Sequence, residues 1–160
     1  MPYALLALVL VILDQVVKYL VLTYIPLGGY VPFLPHIVCL TYVQNTGAAF
    51  SMFSQHTWIL ALISLIMSVV LAVALWKNFF THPLGKVTLA LLLAGAVGNL
   101  IDRALRGFVV DMFQLLFMNF AVFNVADICV VVGGIAAAAY YLLLADKLEH
   151  KEAPHGTADA

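Results

Sequence analysis

Charge is what this sequence has least of. Only 9% of its 160 residues are charged, whereas 65% are hydrophobic. A typical soluble domain is about 25% charged and 45–50% apolar, so the composition excludes a water-soluble domain and predicts a protein whose solvent is the lipid bilayer. The seven lysines and arginines are scattered and the net charge is −1, which leaves no basic surface for binding nucleic acid.

Cysteine and histidine are too few or too dispersed to build a site. Cys39 and Cys129 do not predict a disulfide framework, and Cys129 stands in an apolar run typical of a buried small residue. The five histidines show no HExxH pattern or other ligand spacing, so we expect no metal and no cofactor. Gly-x-Ser-x-Gly and Ser-x-x-Lys motifs are also missing, which leaves no candidate serine nucleophile.

Long apolar runs stand in place of these features. A helix that crosses the bilayer needs about 20 mostly apolar residues, and four stretches qualify, at about 3–24, 57–77, 86–103 and 122–144. The first has no basic segment before it and no small-residue cleavage site, so we interpret it as a span and not as a signal peptide. The sequence predicts a mainly α-helical membrane protein with four transmembrane helices, one integral-membrane domain over 1–146 and a polar tail over 147–160.

The basic residues indicate an orientation for these spans. Lys77 and Lys86 flank the loop between the second and third spans, and Lys147 and Lys151 follow the fourth, whereas Arg103 ends the third span on the other side. Because loops rich in Lys and Arg tend to stay in the cytoplasm, this pattern favours cytoplasmic termini and a cytoplasmic tail.

The two outer segments carry strand signals. The run Val38–Val43 in the segment 25–56 is rich in β-branched and aromatic residues, and Phe108–Val110 in the segment 104–121 is a further candidate. We therefore expect a small β-sheet on the outer membrane face. Small residues four apart, Ala94 with Gly98 and Gly133 with Ala137, predict close approach of the last two spans.

Acids and amides gather at the mouths of the last two spans. Asn99 and Asp102 share a face of the third span, Asn124 and Asp127 share a face of the fourth, and Asp111 lies in the loop between them. A carboxylate near hydrocarbon is costly, so each is a candidate functional residue. Three carboxylates converging on one end of two neighbouring helices suggest chemistry with a shared proton.

Asp111 and Asp127 are the pair that such chemistry would use. Two carboxylates a few Å apart cannot both ionise cheaply, so they share one proton. The ionised member accepts a proton from water while the protonated member polarises a carbonyl, which allows peptide hydrolysis without a metal or a covalent intermediate. The alternative is that these acids are solvated loop residues or helix N-caps, positions where Asp and Asn are common.

Five further residues each have two interpretations. Asp14 and Lys18, four apart with the acid first, predict an ion pair that is structural in preference to catalytic. Asn45 and Gly47 belong to a turn that either presents an amide donor or is simply a tight loop. Arg103 either binds a carbonyl or phosphate, or extends to the lipid headgroups.

Taken together, five motifs resemble those of the lipoprotein signal peptidases, also called signal peptidase II. They occur in the family's order and span nearly the whole chain: Asp14-Gln15-Val16-Val17-Lys18, Asn45-Thr46-Gly47-Ala48-Ala49-Phe50-Ser51, Gly98-Asn99-Leu100-Ile101-Asp102-Arg103, Val109-Val110-Asp111-Met112-Phe113 and Phe123-Asn124-Val125-Ala126-Asp127. The chain departs at Met112, where many members carry Phe, and at Ala94, where a Gly often stands. Neither departure changes a carboxylate.

The resemblance implies an aspartic endopeptidase of the bacterial inner membrane that cleaves a diacylglyceryl-modified prolipoprotein just before its lipidated cysteine. Asp111 and Asp127 would be its catalytic dyad, on the periplasmic side. Asn99 and Asn124 would hold the site by hydrogen bonds. The residues that would support the site or position the substrate are Asp14, Lys18, Asn45, Gly47, Asp102 and Arg103. The resemblance also implies a periplasmic β-cradle, contact with membrane lipids, and inhibition by cyclic peptides such as globomycin.

Three other functions compete with this one. A small proton-coupled transporter or channel subunit also uses intramembrane acids, but here they cluster at one mouth and no inverted repeat is evident. A presenilin-type protease would carry Gly-x-Gly-Asp, whereas Gly98-Asn99-Leu100 precedes Asp102 here. A non-catalytic assembly factor would leave Asp111 and Asp127 expendable.

Overall fold

The computed structural model describes residues 2–47 and 57–142. This part of the chain forms four helices and three strands. In chain order they are α1 (Pro2–Tyr24), β1 (Tyr30–Leu34), β2 (Val38–Asn45), α2 (Thr57–Trp76), α3 (Pro83–Arg106), β3 (Val109–Leu115) and α4 (Val125–Tyr140). The predicted mainly helical fold with a small sheet is confirmed. The predicted tail 147–160 and the stretch Ala48–Ser51 of the turn motif lie outside the described residues.

Among the described residues, three helices are long and apolar enough to cross a membrane: α1, α2 and α3. The 20 residues of α2 include no charged side chain, and those of α1 include only Asp14 and Lys18. Helix α4 is also apolar, but its described α-helical part has 16 residues. Helix α4 begins at Val125, three residues after the predicted start of the fourth span at about 122. The predicted end of that span at about 144 lies outside the described residues.

Helix α3 is longer than the predicted span 86–103 because polar caps extend both of its ends. At the start, the His82 side chain accepts a hydrogen bond from the Leu84 N–H at 3.2 Å, and Pro83 fits the first turn, where no backbone N–H is required. At the other end, Gly107 adopts a φ of 77° and its N–H donates to the Arg103 carbonyl. The Gly107 turn leads directly into β3.

The three strands form one antiparallel sheet in the order β1-β2-β3. Val43 of β2 lies opposite Asp111 of β3, and Asn45 lies opposite Val109. Pro32 is tolerated in β1 because that strand is at the edge of the sheet. One face of the sheet packs on the end of α1 in a core that consists of Val21, Ile25, Tyr42, Val110 and Met112.

A β-bridge between Phe113 and Phe123 ties β3 to the residues just before α4. The Phe113 N–H donates to the Phe123 carbonyl at 2.8 Å, and the Phe123 N–H donates back at 3.1 Å. Because Asn124 follows Phe123 and starts α4, this bridge holds the beginning of that helix beside the strand that carries Asp111.

Helix α3 lies between the other helices, packing against α1, α2 and α4. The predicted close approach of α3 and α4 is confirmed at the small residues. A side chain at Gly98 would meet the Asp14 carboxylate and Ala126, and one at Gly133 would meet Leu92. Gly95 allows the closest approach, since a Cβ there would lie 2.5 Å from the Ala126 carbonyl oxygen.

We expect Gly95→Ala to destabilise the protein by about 1–3 kcal/mol, because the new methyl group meets backbone that cannot move aside easily. Gly134→Ala is the matched control on α4, since a Cβ there has no atom within 4 Å and replacing a helical glycine stabilises by about 0.5–1 kcal/mol. Thermal unfolding of both variants in the same detergent measures the effects. Equal melting temperatures for the two would contradict the packing described here.

Candidate active site

The polar residues singled out in the sequence meet where β2, β3, α3 and α4 converge. Asp111 is buried on β3, Asp127 lies in the first turn of α4, and Asn124 is the residue that caps that helix. Asn99 projects from α3 and Asn45 from the end of β2. The fold therefore brings together five side chains that lie up to 82 positions apart in the sequence (Asn45 to Asp127).

Asp111 accepts a hydrogen bond from an asparagine amide on each of its two oxygens. Asn124 Nδ2 donates to Oδ1 at 2.7 Å, and Asn45 Nδ2 donates to Oδ2 at 2.9 Å. The Asn45 amide is oriented by the turn that follows it, because its oxygen accepts the Gly47 N–H at 3.0 Å. The turn predicted at Asn45 and Gly47 is thus present, and it presents an amide donor to the carboxylate.

Asp127 takes part in a capping box at the start of α4. Asn124 Oδ1 accepts the Asp127 N–H at 2.9 Å, and Asp127 Oδ2 accepts the Asn124 N–H at 3.1 Å. The helix-cap interpretation is therefore correct for Asn124 and partly correct for Asp127. It does not account for Asp127 Oδ1, which accepts a hydrogen bond from Asn99 Nδ2 at 2.8 Å.

The surroundings of Asp111 raise the pKa of its carboxyl toward the neutral range. Burial raises the pKa of its carboxyl to about 6, and the negative charge of Asp127 adds to that rise. The amide bonds from Asn45 and Asn124 oppose it, because they stabilise the ionised form. A carboxyl with this balance changes its protonation state over the pH range in which proteins work, as a general acid or base requires.

Asp102 lies near the other two carboxylates, since it accepts the Val110 N–H next to Asp111, but it is held in ion pairs and does not border their cavity. Its Oδ2 pairs with Lys18 Nζ at 3.1 Å, and its Oδ1 pairs with Arg106. The predicted ion pair between Asp14 and Lys18 is present at 2.8 Å. These four side chains form an ion cluster, comprising Asp14, Lys18, Asp102 and Arg106. The cluster lies beside the Asp111–Asp127 site and holds α1 against α3.

Arg106 had no predicted role, although the signal was available. It follows Asp102 by four residues on the same helix, the spacing that was used to predict the pair between Asp14 and Lys18. The guanidinium of Arg103, by contrast, points to α2 and the turn after β2, where it donates to Ser64 Oγ at 3.3 Å and to the Gly47 carbonyl at 3.4 Å.

Asp111 and Asp127 both border a cavity of about 550 Å³. Asn45, Asn99 and Arg103 line its polar end, whereas a row of α4 side chains that includes Val130, Val131 and Val132 makes its opposite wall apolar. A second cavity of about 410 Å³ adjoins it and shares Asp111 and Asn45. The two carboxylates thus face a space large enough for an extended peptide segment, lined by a few polar side chains and by many apolar ones.

Within residues 2–47 and 57–142, no group of three His, Cys, Asp or Glu side chains is placed to hold a metal ion. The polar and charged side chains that line the cavity are those of Asn45, Asn99, Arg103, Asp111 and Asp127. With one proton between them, two carboxyls can accept a proton from water and donate one to a carbonyl oxygen.

Comparison with known proteins identifies the family. The sequence model described as signal peptidase (SPase) II matches residues 6–143. This chain belongs to the signal peptidase II family. Its assignment to the aspartic peptidases, a class of hydrolases, is thereby confirmed. The motifs that suggested the family lie within the matched range.

Signal peptidase II proteins of other bacteria match over most of their length. The lipoprotein signal peptidase of Enterococcus faecalis is 44% identical over 155 residues, which cover 97% of this chain and 95% of that protein. The lipoprotein signal peptidase of Streptococcus pneumoniae is 46% identical over 136 residues, or 81% of this chain and 85% of its own.

A solved structure of a bacterial membrane enzyme has the same fold as this signal peptidase II family member. It matches with a TM-score of 0.82 at 30% identity, covering 99% of this chain and 94% of its own. The family and the apolar helices agree on a protein embedded in a bacterial membrane.

Proposed function

We propose that this protein is a prolipoprotein signal peptidase that removes the signal peptide by cleaving just before the diacylglyceryl-modified cysteine. The observation that carries the proposal is the pair of carboxylates, Asp111 and Asp127, that border one cavity between β3 and α4. The enterococcal and pneumococcal relatives carry the name lipoprotein signal peptidase, which supports this substrate class.

In the proposed mechanism the two aspartates share one proton and bind a water molecule between them. The ionised carboxylate takes a proton from the water, and the resulting hydroxide attacks the carbonyl carbon of the scissile bond. The protonated carboxyl gives its proton to the carbonyl oxygen. When the tetrahedral intermediate collapses, the carboxyl that took the water proton gives it to the cysteine nitrogen as the C–N bond breaks, and the other carboxylate takes a proton from one hydroxyl of the intermediate, which leaves a carboxylic acid. The dyad then again holds one proton, on the carboxyl that held it at the start.

The four side chains around the dyad have separate roles in this proposal. Asn45 and Asn124 hold the Asp111 carboxyl from both oxygens, and Asn99 holds Asp127. Because each amide donates, all three resist displacement of the carboxyls toward the apolar wall. Arg103 offers a donor to the substrate, since its buried Nε–H has no acceptor among the described residues.

The proposed membrane arrangement places α1 to α4 as four spans within one integral-membrane domain of about 1–146, with residues 147–160 as a cytoplasmic tail. Both termini would be cytoplasmic and the sheet would form the periplasmic cradle of an inner-membrane enzyme. Exposed apolar side chains on the sheet segments support contact with the membrane surface, namely Tyr30, Phe33, Ile37 and Phe117.

The apolar wall of the cavity suits a lipidated substrate. Val130, Val131 and Val132 are more than one-third exposed on α4, so the cavity extends to a surface that would face lipid. Each CH₂ group buried in lipid contributes about 0.8 kcal/mol, so two acyl chains would anchor the substrate while its peptide meets the polar end. The peptide's own polar groups would then need protein donors, because lipid offers none.

The direct test of this function uses purified protein in detergent and a diacylated prolipoprotein. We expect a shorter product on a gel, with no cleavage of the same precursor lacking the diacylglyceryl group, and inhibition by globomycin. An unchanged precursor after prolonged incubation would reject the peptidase function. A proton-coupled transporter or an assembly factor would give that result.

We expect Arg103→Ala to lower kcat/KM for this cleavage by about 10-fold to 100-fold, because hydrogen bonds to charged groups contribute about 1.5–3 kcal/mol. Lys77→Ala is the matched control, since it removes an exposed basic residue that follows α2 and lies outside the cavity lining. Initial rates over a range of substrate concentrations measure both variants. Unchanged processing by Arg103→Ala would remove Arg103 from the site.

A further inference from the structure

The ion cluster beside the dyad is buried far more deeply than its chemistry would ordinarily permit. The side chains of Lys18, Asp14 and Asp102 are at most 1% exposed. Moving charged groups out of water is expensive even when they are paired, and well-packed apolar side chains often serve stability as well. None of the three is among the described residues that border the two cavities. A role that does not require contact with substrate would explain them.

Both carboxylates of the cluster bind backbone directly next to the dyad. Asp102 Oδ2 accepts the Val110 N–H at 2.9 Å, and Val110 immediately precedes Asp111. Asp14 Oδ1 accepts the Ala126 N–H at 2.9 Å, and Ala126 immediately precedes Asp127. The same cluster therefore fixes the main chain one residue before each aspartate.

The cation of the cluster and the Asn124 amide together determine which way Asn99 points, since Asn124 Nδ2 also donates to Asn99 Oδ1, at 3.2 Å. Lys18 Nζ donates to Asn99 Oδ1 at 3.1 Å, and an ammonium group has no acceptor. The Asn99 oxygen must therefore face Lys18, which leaves its NH₂ group to face Asp127 Oδ1 at 2.8 Å. A flipped amide would direct N–H groups at the ammonium and an oxygen at the carboxylate, which is unfavourable on both sides.

We propose that Asp14, Lys18 and Asp102 form a positioning unit that sets the separation of the two catalytic aspartates and the direction of the Asn99 donor. This inference rests on the proposed function, since it assigns the unit to the cleavage step. The unit acts through Val110, Ala126 and Asn99, so its loss lowers kcat and leaves KM nearly unchanged. A cluster that served only to hold the helices together would affect stability alone.

The test is a charge-balanced double variant, Lys18→Met with Asp14→Asn. It removes one cation and one anion, leaves Asp102 paired with Arg106, and keeps an amide oxygen at position 14 for the Ala126 N–H. Comparison with Asp14→Asn alone isolates the loss of the Lys18 ammonium, which binds both Asn99 and Asp102, because the single variant retains it. Thr88→Val is the control for loss of a buried polar group, since the Thr88 hydroxyl has no partner among the described residues.

We expect the double variant to fold, to keep KM within about twofold, and to lose at least about 10-fold in kcat relative to Asp14→Asn, because misplacing a reacting group by about 1 Å can lower the rate by about 10²-fold. Equal kcat values for the double and single variants would overturn the proposal. If the wild type itself fails to cleave, the proposed function fails, so the two failures are distinguishable.

A second variant keeps the test decisive if the double variant does not fold. Asn99→Asp retains an acceptor for Lys18 and gains an ion pair with it, but it faces Asp127 with an oxygen in place of a donor. The positioning role predicts a loss of at least about 10-fold in kcat from this variant, assayed on protein whose melting temperature shows that it is folded. Wild-type kcat from Asn99→Asp would overturn the proposal as well.

Discussion

Asp111→Asn and Asp127→Asn are each expected to abolish measurable cleavage, with a loss in kcat of at least about 10²–10⁴-fold, because each removes a group that must gain or lose a proton. Asparagine matches aspartate in size, so both variants should remain folded. Purified variants at equal concentration, assayed on the diacylated precursor with melting temperatures measured in parallel, give the comparison.

Two controls make this result specific. Gln114→Ala changes an exposed polar side chain on the same strand as Asp111 and should cleave at the wild-type rate. The double variant of both aspartates should be no slower than either single variant, because residues that act as one unit lose their joint effect with the first substitution. Cleavage retained by either single variant would reject the dyad.

Asn124→Ser and Asn124→Ala should separate the two roles of Asn124. Serine keeps an oxygen that can cap α4, whereas alanine does not, so only the alanine variant should lose the roughly 1 kcal/mol that a cap contributes. Both variants lose the amide that donates to Asp111 Oδ1 at 2.7 Å, so both should lose at least about 10-fold in kcat.

Unfolding curves and cleavage rates for the two Asn124 variants measure these effects separately. A serine variant with the wild-type rate would show that Asn124 is only a helix cap, in which case its bond to Asp111 is incidental. A serine variant as unstable as the alanine variant would contradict the capping role.

The apolar helices were predictable because their signal is local. The ends of α1 and α2 differ from the ends of the predicted spans by at most one residue. Each of these helices continues to the end of its apolar run, at Tyr24 in α1 and at Trp76 in α2. The start of α4 was predicted three residues too early because hydrophobicity does not reveal a cap. Asn124 ends the extended chain there, although apolar residues continue on both sides of it.

The partners of each polar side chain were less predictable, because they come from distant parts of the chain. Asp102 shares a helix face with Asn99, and spacing alone placed both in one site. The fold brings Lys18 of α1 to Asp102, and the turn at Gly107 brings the Val110 N–H to the same carboxylate. Asp102 therefore belongs to the ion cluster. Pairing of Asn45 with Asp111 likewise depends on the register of β2 against β3, which the sequence does not specify.

The pH dependence of kcat/KM for the wild-type enzyme is the most direct test of a proton shared by two carboxyls. The pKa of Asp111, raised to about 6 by burial and by the charge of Asp127, describes proton loss beside an already ionised neighbour. Above that pH both carboxyls are ionised and no acid remains; at low pH both are protonated and no base remains. We expect a bell-shaped profile with its alkaline limb near pH 6, for enzyme that stays folded throughout. A kcat/KM that is constant, or that keeps rising, from about one pH unit below that pKa to about two units above it would contradict the account.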